Sequence, residues 1–261
     1  MKDWLLECDT CSFLGSTLPP GAGVSVDGLD TLRRDNFARI LDQLSLYLSL
    51  QGAGILEIGS AKGLFLDMAR ERGARVTGLE PDALAAGQCR ARGHEVIHGF
   101  FPDAIGSERC FDVIALNDVF EHLPDPPGAA RSLEALLTPG GILCINLPSR
   151  DGIFFRLASM LDRIGVHGPF DRLWQRGLPS PHLSYFNQRT LESLMTRVTA
   201  LQVLPPMSLP SIARSGLRER LASVRTGVPL TLCHPFVWAL TWIIDWLPSD
   251  IIVGIYRKPE R

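Results

Sequence analysis

The stretch "ILEIGSAKGLFL", Ile55 to Leu66, holds an apolar strand, an acid, two spaced glycines and the apolar start of a helix. Gly59 and Gly63 let the backbone turn sharply and approach a ligand, and the helix that follows opens with free N–H groups. Around this turn the pattern alternates. Strand-like runs at 53–58, 74–79, 94–98, 111–116 and 140–146 are interleaved with helical spacing at 63–72, 82–92 and 127–137. Such alternation predicts crossover units and a parallel sheet covered by helices on both faces, an α/β fold. A helix capped by Asp30 precedes the array. After Ser149 the rhythm breaks into an amphipathic helix and a Pro/Gly-punctuated loop. Helix 189–199, a short strand at Leu201–Leu204, an irregular helical stretch from Pro205 to Pro248 and a final strand in "DIIVGIYRKP" complete the reading.

The chain has 261 residues, 46% of them apolar and 21% charged, enough to bury a substantial core. A formal charge of −2 without a long basic run gives no footprint for nucleic acid. The start lacks the apolar run of a signal peptide, and the six cysteines are too scattered for a disulfide framework, so a cytoplasmic protein is expected.

In an open parallel sheet, ligands sit beyond the carboxyl ends of the strands where the order reverses, which makes the turn after the first strand the first place to look. A dinucleotide turn would read G-x-G-x-x-G. This one does not, and it places Glu57 two residues before the first glycine. A carboxylate there repels a diphosphate and suits a cation such as an amino-acid ammonium group. Glu80, at the end of the second strand, can accept hydrogen bonds from ribose hydroxyls. NAD enzymes share that device, so Glu80 alone does not separate the readings. The pair Glu57 and Glu80 points to a ligand with an adenosine end and a zwitterionic end.

Four segments in order, E-x-G-x-x-x-G at 57–63, "GLEPD" at 78–82, "FDVIALNDVFEHLPDP" at 111–126 and "LLTPGGILCINLPS" at 136–149, resemble the successive motifs of class I S-adenosylmethionine-dependent methyltransferases. The likeness is to the bacterial branch that includes ubiquinone-pathway, sugar and natural-product methyltransferases, and it extends to "PHLSYFNQRTLESLM" at 181–195. It implies a Rossmann-like sheet of seven mostly parallel strands, order 3-2-1-4-5-7-6, with substrate-side insertions at 150–188 and 205–248. It also implies S-adenosylmethionine as cofactor. Glu57, Gly59, Ser60, Ala61 and Gly63 would surround its methionine part, Glu80 would hold the ribose, and Asn117 and Asp118 would lie by the methyl group. Where relatives place an acid for the adenine amino group, this chain reads "HGFFPDAI". Phe100 and Phe101 are the candidates for the adenine face, with Asp103 as a replacement acid, against plain loop packing.

A sulfonium methyl is already activated, so alignment is the main task, with proton removal added for a hydroxyl acceptor. His122 and His182 are the candidate bases, each set against a merely hydrogen-bonded imidazole. Asp118, Glu121 and His122 fall on one face if that turn is helical. Some ubiquinone-pathway relatives bind a divalent metal with such an array; metal is the minority reading here and none is assigned. The acceptor expected is a small-molecule or lipid-linked metabolite, methylated at oxygen by family analogy. A non-catalytic cofactor-binding or assembly module is the alternative, and an NAD-dependent enzyme ranks third.

Residues 1–28 read as loop. Relatives often carry an N-terminal zinc ribbon whose second half is similar to "LLECDTCSFLGSTLPP", so the segment is a remnant of that ribbon or the chain starts upstream. One C-x-x-C supplies two of four zinc ligands, and zinc is not expected. Near the other end, Trp238, Trp242 and Trp246 form one helical stripe that packs on the domain, covers a lipid-like substrate, or makes a peripheral membrane contact through 229–247. Pro235, His234 and Asp245 speak against a membrane span.

Overall fold

The computed structural model describes residues 2–21, 30–106, 108–211 and 247–260. The tryptophan stripe at 238–246 lies outside them. Its centre is a seven-stranded sheet of β3 (Gly54–Ile58), β4 (Arg75–Glu80), β5 (Glu95–His98), β6 (Phe111–Asn117), β7 (Leu137–Pro148), β9 (Gln202–Leu209) and β10 (Ile251–Arg257). Their spatial order is β5-β4-β3-β6-β7-β10-β9. This is the expected 3-2-1-4-5-7-6 arrangement. Strands β5 to β7 run parallel, and β10 runs antiparallel to both of its neighbours.

The strands read as continuous apolar runs because both sheet faces are buried. Successive side chains alternate between two cores. Ile55, Val113, Ala115, Ile142 and Cys144 face α1 (Asp30–Ser45) and α2 (Leu64–Glu71), meeting Phe37, Ile40, Leu41, Leu44, Phe65 and Ala69. Leu56, Ile58, Ile114, Leu116, Leu143 and Ile145 face the other way. There they meet Ala130 and Leu133 of α4 (Pro126–Leu136) and Leu191 and Met195 of α7 (Gln188–Val198). Helix α3 (Ala83–Ala91) closes the edge by β5, its Asp82 N-cap accepting from the Ala85 N–H at 2.7 Å. The order reverses between β4 and β6, so β3 marks the switch point, and its carboxyl end is where a ligand site belongs.

Two expectations about the substrate side are corrected. The strand expected to stop at Leu204 continues to Leu209 through Pro205 and Pro206. Proline fits there because β9 is an edge strand and its pairing with β10 shifts between Val253 and Ile255, opposite the two prolines. The segment after Ser149 holds two helices, α5 (Ile153–Arg163) and α6 (Gly168–Leu173), and a short strand β8 (Ser184–Tyr185). Strand β8 pairs with a hairpin of β1 (Leu5–Glu7) and β2 (Leu14–Ser16) from the first residues of the chain. Cys8 and Cys11 sit in the hairpin's turn as free thiols.

A separate aromatic cluster holds this subassembly. Trp4 and Leu14 of the hairpin pack with Phe155, Phe170, Trp174 and Tyr185, and Trp174 is fully buried. Its ring meets Trp4 edge-on at 5.5 Å between centroids. Lys2 bridges Asp162 at 3.0 Å and Asp171 at 2.5 Å, fixing the hairpin to α5 and α6. No helix among the described residues is long and apolar enough to cross a membrane. Because the cluster is distinct from the two sheet cores, Trp174→Ala should loosen the hairpin locally, an excision that costs about 3–5 kcal/mol. Hydrogen exchange should then show Leu5–Ser16 amides losing protection while β3 and β6 keep theirs. Equal loss in both would show a single cooperative unit.

Candidate active site

The turn after β3 is held from the neighbouring strand: the Gly59 and Ser60 N–H groups donate to the Leu79 carbonyl at 2.7 and 3.1 Å. Gly59 has φ +73°, and a Cβ on it would run into Val119. Gly63, at φ +83° just before α2, would place a Cβ 2.6 Å from Cys89 Sγ. Both positions therefore need glycine twice over, for conformation and for space. Ala61 between them takes φ +45°, a left-handed conformation that is sparsely populated for an alanine. Its N–H donates to Glu80 Oε2 at 2.7 Å, while Glu80 Oε1 accepts from the Asp82 N–H at 2.9 Å. Glu80 thus clasps the tips of β3 and β4, and the clasp holds Ala61 where it stands. Burial raises the Glu80 carboxyl above its ordinary range.

Under the turn lies a row of buried polar groups at the carboxyl ends of β3, β6 and β7. Glu57 Oε1 accepts from Asn117 Nδ2 at 2.9 Å, and Asn146 Nδ2 donates to Asn117 Oδ1 at 3.4 Å. Among the described residues, Glu57 Oε2 and Asn146 Oδ1 are buried without a hydrogen-bond partner. Burial pushes the Glu57 carboxyl up to about 8, although the Asn117 bond and the nearby Arg33 charge pull it down. Asp118 follows at φ +55°. It is exposed; partial desolvation raises its carboxyl, and the Arg33 charge opposes that shift. Two strained non-glycine residues, Ala61 and Asp118, therefore flank one cleft.

Beyond Asp118 the chain makes a turn of 3-10 helix, Phe120–His122. It directs Glu121 inward, 1% exposed, with neither carboxylate oxygen hydrogen-bonded. Burial, reinforced by the Asp118 charge, holds Glu121 well above the usual carboxylate range. The two candidate bases meet at this acid. His122 Nε2 lies 4.0 Å and His182 Nε2 3.9 Å from Glu121 Oε1, and the imidazole rings stand edge-on at 4.8 Å. His122 Nδ1 faces the Pro181 carbonyl at 2.9 Å and Ser180 Oγ at 3.1 Å. The Gln175 amide nitrogen lies 2.9 Å from His182 Nε2. Burial lowers both imidazoles, His182 to about 3, so both are neutral near pH 7.

The structure thus gathers Glu57, Gly59, Ser60, Ala61, Gly63, Glu80, Asn117 and Asp118 around the switch point, with His122 and His182 beside them. It separates the two phenylalanines: Phe101 packs against the core on the α4 and α7 side, and Phe100 stands 59% exposed with Asp103 also at the surface. Two residues escaped the sequence reading. Asn146 is a lone polar residue inside an apolar strand. Arg33 lies three and four residues before the buried Asn36 and Phe37, a charge on the inward face of α1. Both signals were present in the chain.

A family model described as a methyltransferase domain matches residues 30–198, well over half of the chain. The chain belongs to the S-adenosylmethionine-dependent methyltransferase family. A ubiquinone biosynthesis O-methyltransferase from Xanthomonas euvesicatoria is 30% identical over 129 residues, 45% of this chain and 52% of that protein. The chain thus spans about half the length of the curated relatives it matches. A solved structure of a putative sarcosine dimethylglycine methyltransferase from Galdieria sulphuraria superposes with a TM-score of 0.60 at 17% identity, covering 93% of this chain and 94% of that one. The [4+2]-cyclase SpnF superposes at 0.56 and 18% identity, covering 93% and 88%. The methyltransferase fold is shared with a cyclase, so the reaction must be argued from the site.

A carboxyl whose folded pKa is raised keeps its proton in the native state while the unfolded chain has lost it. Stability therefore falls as pH rises between the ordinary value of 4.5 and about 8. Glu57→Gln should make the cofactor-free protein's stability less steep over pH 5–8, by up to about 1.4 kcal/mol per pH unit. Urea melts at four pH values would show it. Parallel pH profiles for wild type and variant would mean that Glu57 is ionised in the native state.

Proposed function

We propose that the protein transfers the methyl group of S-adenosylmethionine to an oxygen of a small-molecule or lipid-linked acceptor. The observation that carries this reading is the buried Glu57 with one oxygen unfilled at the switch point. In this reading that oxygen accepts from the ammonium group of the cofactor. Arg33, whose charge reaches both Glu57 and Asp118, faces the cofactor's carboxylate, and Glu80 accepts from the ribose with the lone pairs its backbone bonds leave free. Phe100 is the side chain open to the adenine face. A diphosphate ligand fits poorly beside Glu57, which disfavours the NAD reading. Oxygen as the acceptor atom rests on the ubiquinone O-methyltransferase relatives.

The reaction forms a C–O bond to the methyl carbon as the C–S bond breaks, leaving S-adenosylhomocysteine, and the acceptor's proton must go to the protein. The two histidines divide this work. His122 Nδ1–H donates to the Pro181 carbonyl, which leaves a lone pair on Nε2. Burial keeps that ring neutral and ready to accept a proton. Glu121 then faces the imidazolium that forms. His182 is engaged differently, since an amide nitrogen only donates and Gln175 occupies its Nε2. His122 is therefore the base in this reading and His182 a positioning residue against it. The test is methyl transfer to a set of phenols and catechols, followed by release of S-adenosylhomocysteine. His122→Ala should lower turnover about 100-fold or more with cofactor affinity within about twofold. Parallel loss of affinity and turnover would remove the base assignment.

One observation favours a second reading of the same cluster. Donor atoms of Glu121, His122 and His182 all lie within 4.8 Å of one another, and neither Glu121 oxygen has a hydrogen-bond partner among the described residues. Two imidazoles and a carboxylate suit zinc, manganese or iron(II). Asp118, of the array read from the sequence, is not in this set, and His182 takes its place. Such an ion would orient the acceptor and lower its hydroxyl pKa, making a base unnecessary. Exhaustive chelation discriminates: the base reading predicts unchanged turnover, and the metal reading predicts its loss and recovery on adding a divalent ion.

A further inference from the structure

A second layer of side chains supports the turn after β3. A Cβ on Gly63 would stand 2.6 Å from Cys89 Sγ, 3.1 Å from His94 Cδ2 and 3.5 Å from His94 Nε2. The left-handed residue that opens α2 therefore sits directly on these two side chains. Cys89 is buried in α3, and His94, in the turn between α3 and β5, has no exposed side-chain surface. No side chain caps α2 at Gly63, so what lies beneath that residue sets the height of the first helical turn.

His94 is held in turn by an acid of that same helix. Its Nε2 lies 2.7 Å from Asp67 Oδ1, and because a carboxylate only accepts, Nε2 carries the proton. Nδ1 is buried without a hydrogen-bond partner among the described residues. Burial, with the Arg70 and Arg92 charges, lowers the imidazole, so it is neutral near pH 7. The Asp67 N–H donates to the Gly63 carbonyl at 3.0 Å, which closes a ring of contacts through Gly63, His94 and Asp67. Asp67 also accepts from Arg70 at 3.1 Å and from Arg92. Both arginines are half-exposed, and surface pairs of this kind add little. The buried bond from His94 is the one whose ring also touches the turn.

We propose that His94 is a positioning residue for the cofactor, setting through Asp67 and Gly63 the height at which the turn after β3 meets it. A binding turn must hold its backbone within about 0.5 Å of the productive geometry, and packed, hydrogen-bonded neighbours behind it supply that precision. His94 touches no cofactor atom in this account. Without its N–H, Asp67 keeps the two arginines but loses its tie to the side chain under Gly63, and the turn can settle. The inference rests on the cofactor reading of the turn and is independent of the acceptor.

The experiment is calorimetric titration of the full chain with S-adenosylhomocysteine, well below the lowest melting temperature of the variants compared. His94→Leu keeps apolar bulk and loses the N–H, and its dissociation constant should rise about tenfold, the worth of one buried hydrogen bond. His94→Gln brings an amide N–H to the place of Nε2–H and should stay within about twofold of wild type. Asp67→Ala should match His94→Leu, and the double variant should be no more than about twofold weaker than either single one. A purely structural role would lower the melting temperature of His94→Leu and leave its affinity at the wild-type level, which overturns the proposal. So does a glutamine variant as weak as the leucine one, or a double variant about 100-fold weaker than wild type. A wild type that fails to bind S-adenosylhomocysteine removes the cofactor reading and this inference with it.

Discussion

A carboxyl group buried beside a neutral amide, with one oxygen lacking a hydrogen-bond partner among the described residues, is the constraint on which the rest of this structure turns. Glu57 sits at the end of β3, deep between two cores, and among the described residues its hydrogen-bond partner is Asn117 on the next strand. Such a group is costly to bury, and the Arg33 charge offsets only part of that cost. The surrounding polar atoms do not remove the cost, since Asn146 Oδ1 at the end of the same row also lacks a partner among the described residues. Unsatisfied buried groups collected at a topological switch point are a reason to look for a ligand that completes them. A cationic, multiply donating ligand end does so, and a diphosphate does not.

The same economy of contacts explains why the turn above Glu57 tolerates an alanine. The two glycines are fixed by collisions with Val119 and Cys89, whereas Ala61 is held in its left-handed conformation by the Glu80 clasp. Strain at Ala61 and Asp118 is confined to the rim of the cleft, and the sheet beneath is regular in its pairing with β4 and β6. A rigid platform carrying a few strained residues at its edge is the arrangement expected of a site that must be ready before its ligand arrives.

Much of this was legible in the sequence, and what was not had a physical reason. The parallel strands announced themselves because burial on both faces makes them continuous apolar runs, and the glycine spacing with Glu57 located the cleft. Pro205 and Pro206 concealed half of β9, since local propensity reads a break where an edge bulge accommodates both rings. The hairpin was invisible because its partner is β8, far along the chain, and such pairing leaves no local periodicity. His122 and His182 were each recognisable as candidates. Their meeting at Glu121 was not, because it depends on how α6 and the loop after it return to the cleft. Arg33 and Asn146 were visible as polar residues in apolar patterns, but only the fold shows what they face. The fold does not choose the chemistry either, since a cyclase superposes on it as well as methyltransferases do. The choice rests on the residues at the cleft.

The most direct test of the account is the proton count of cofactor binding. Burial holds the Glu57 carboxyl up to about 8, so pairing its free oxygen with an ammonium group favours ionisation. Calorimetric titration with S-adenosylhomocysteine near pH 7, in two buffers of different ionisation enthalpy, should show binding with release of a proton. Glu57→Gln should bind more weakly and release fewer protons. No binding to wild type, or the same proton count in the variant, would contradict the central claim.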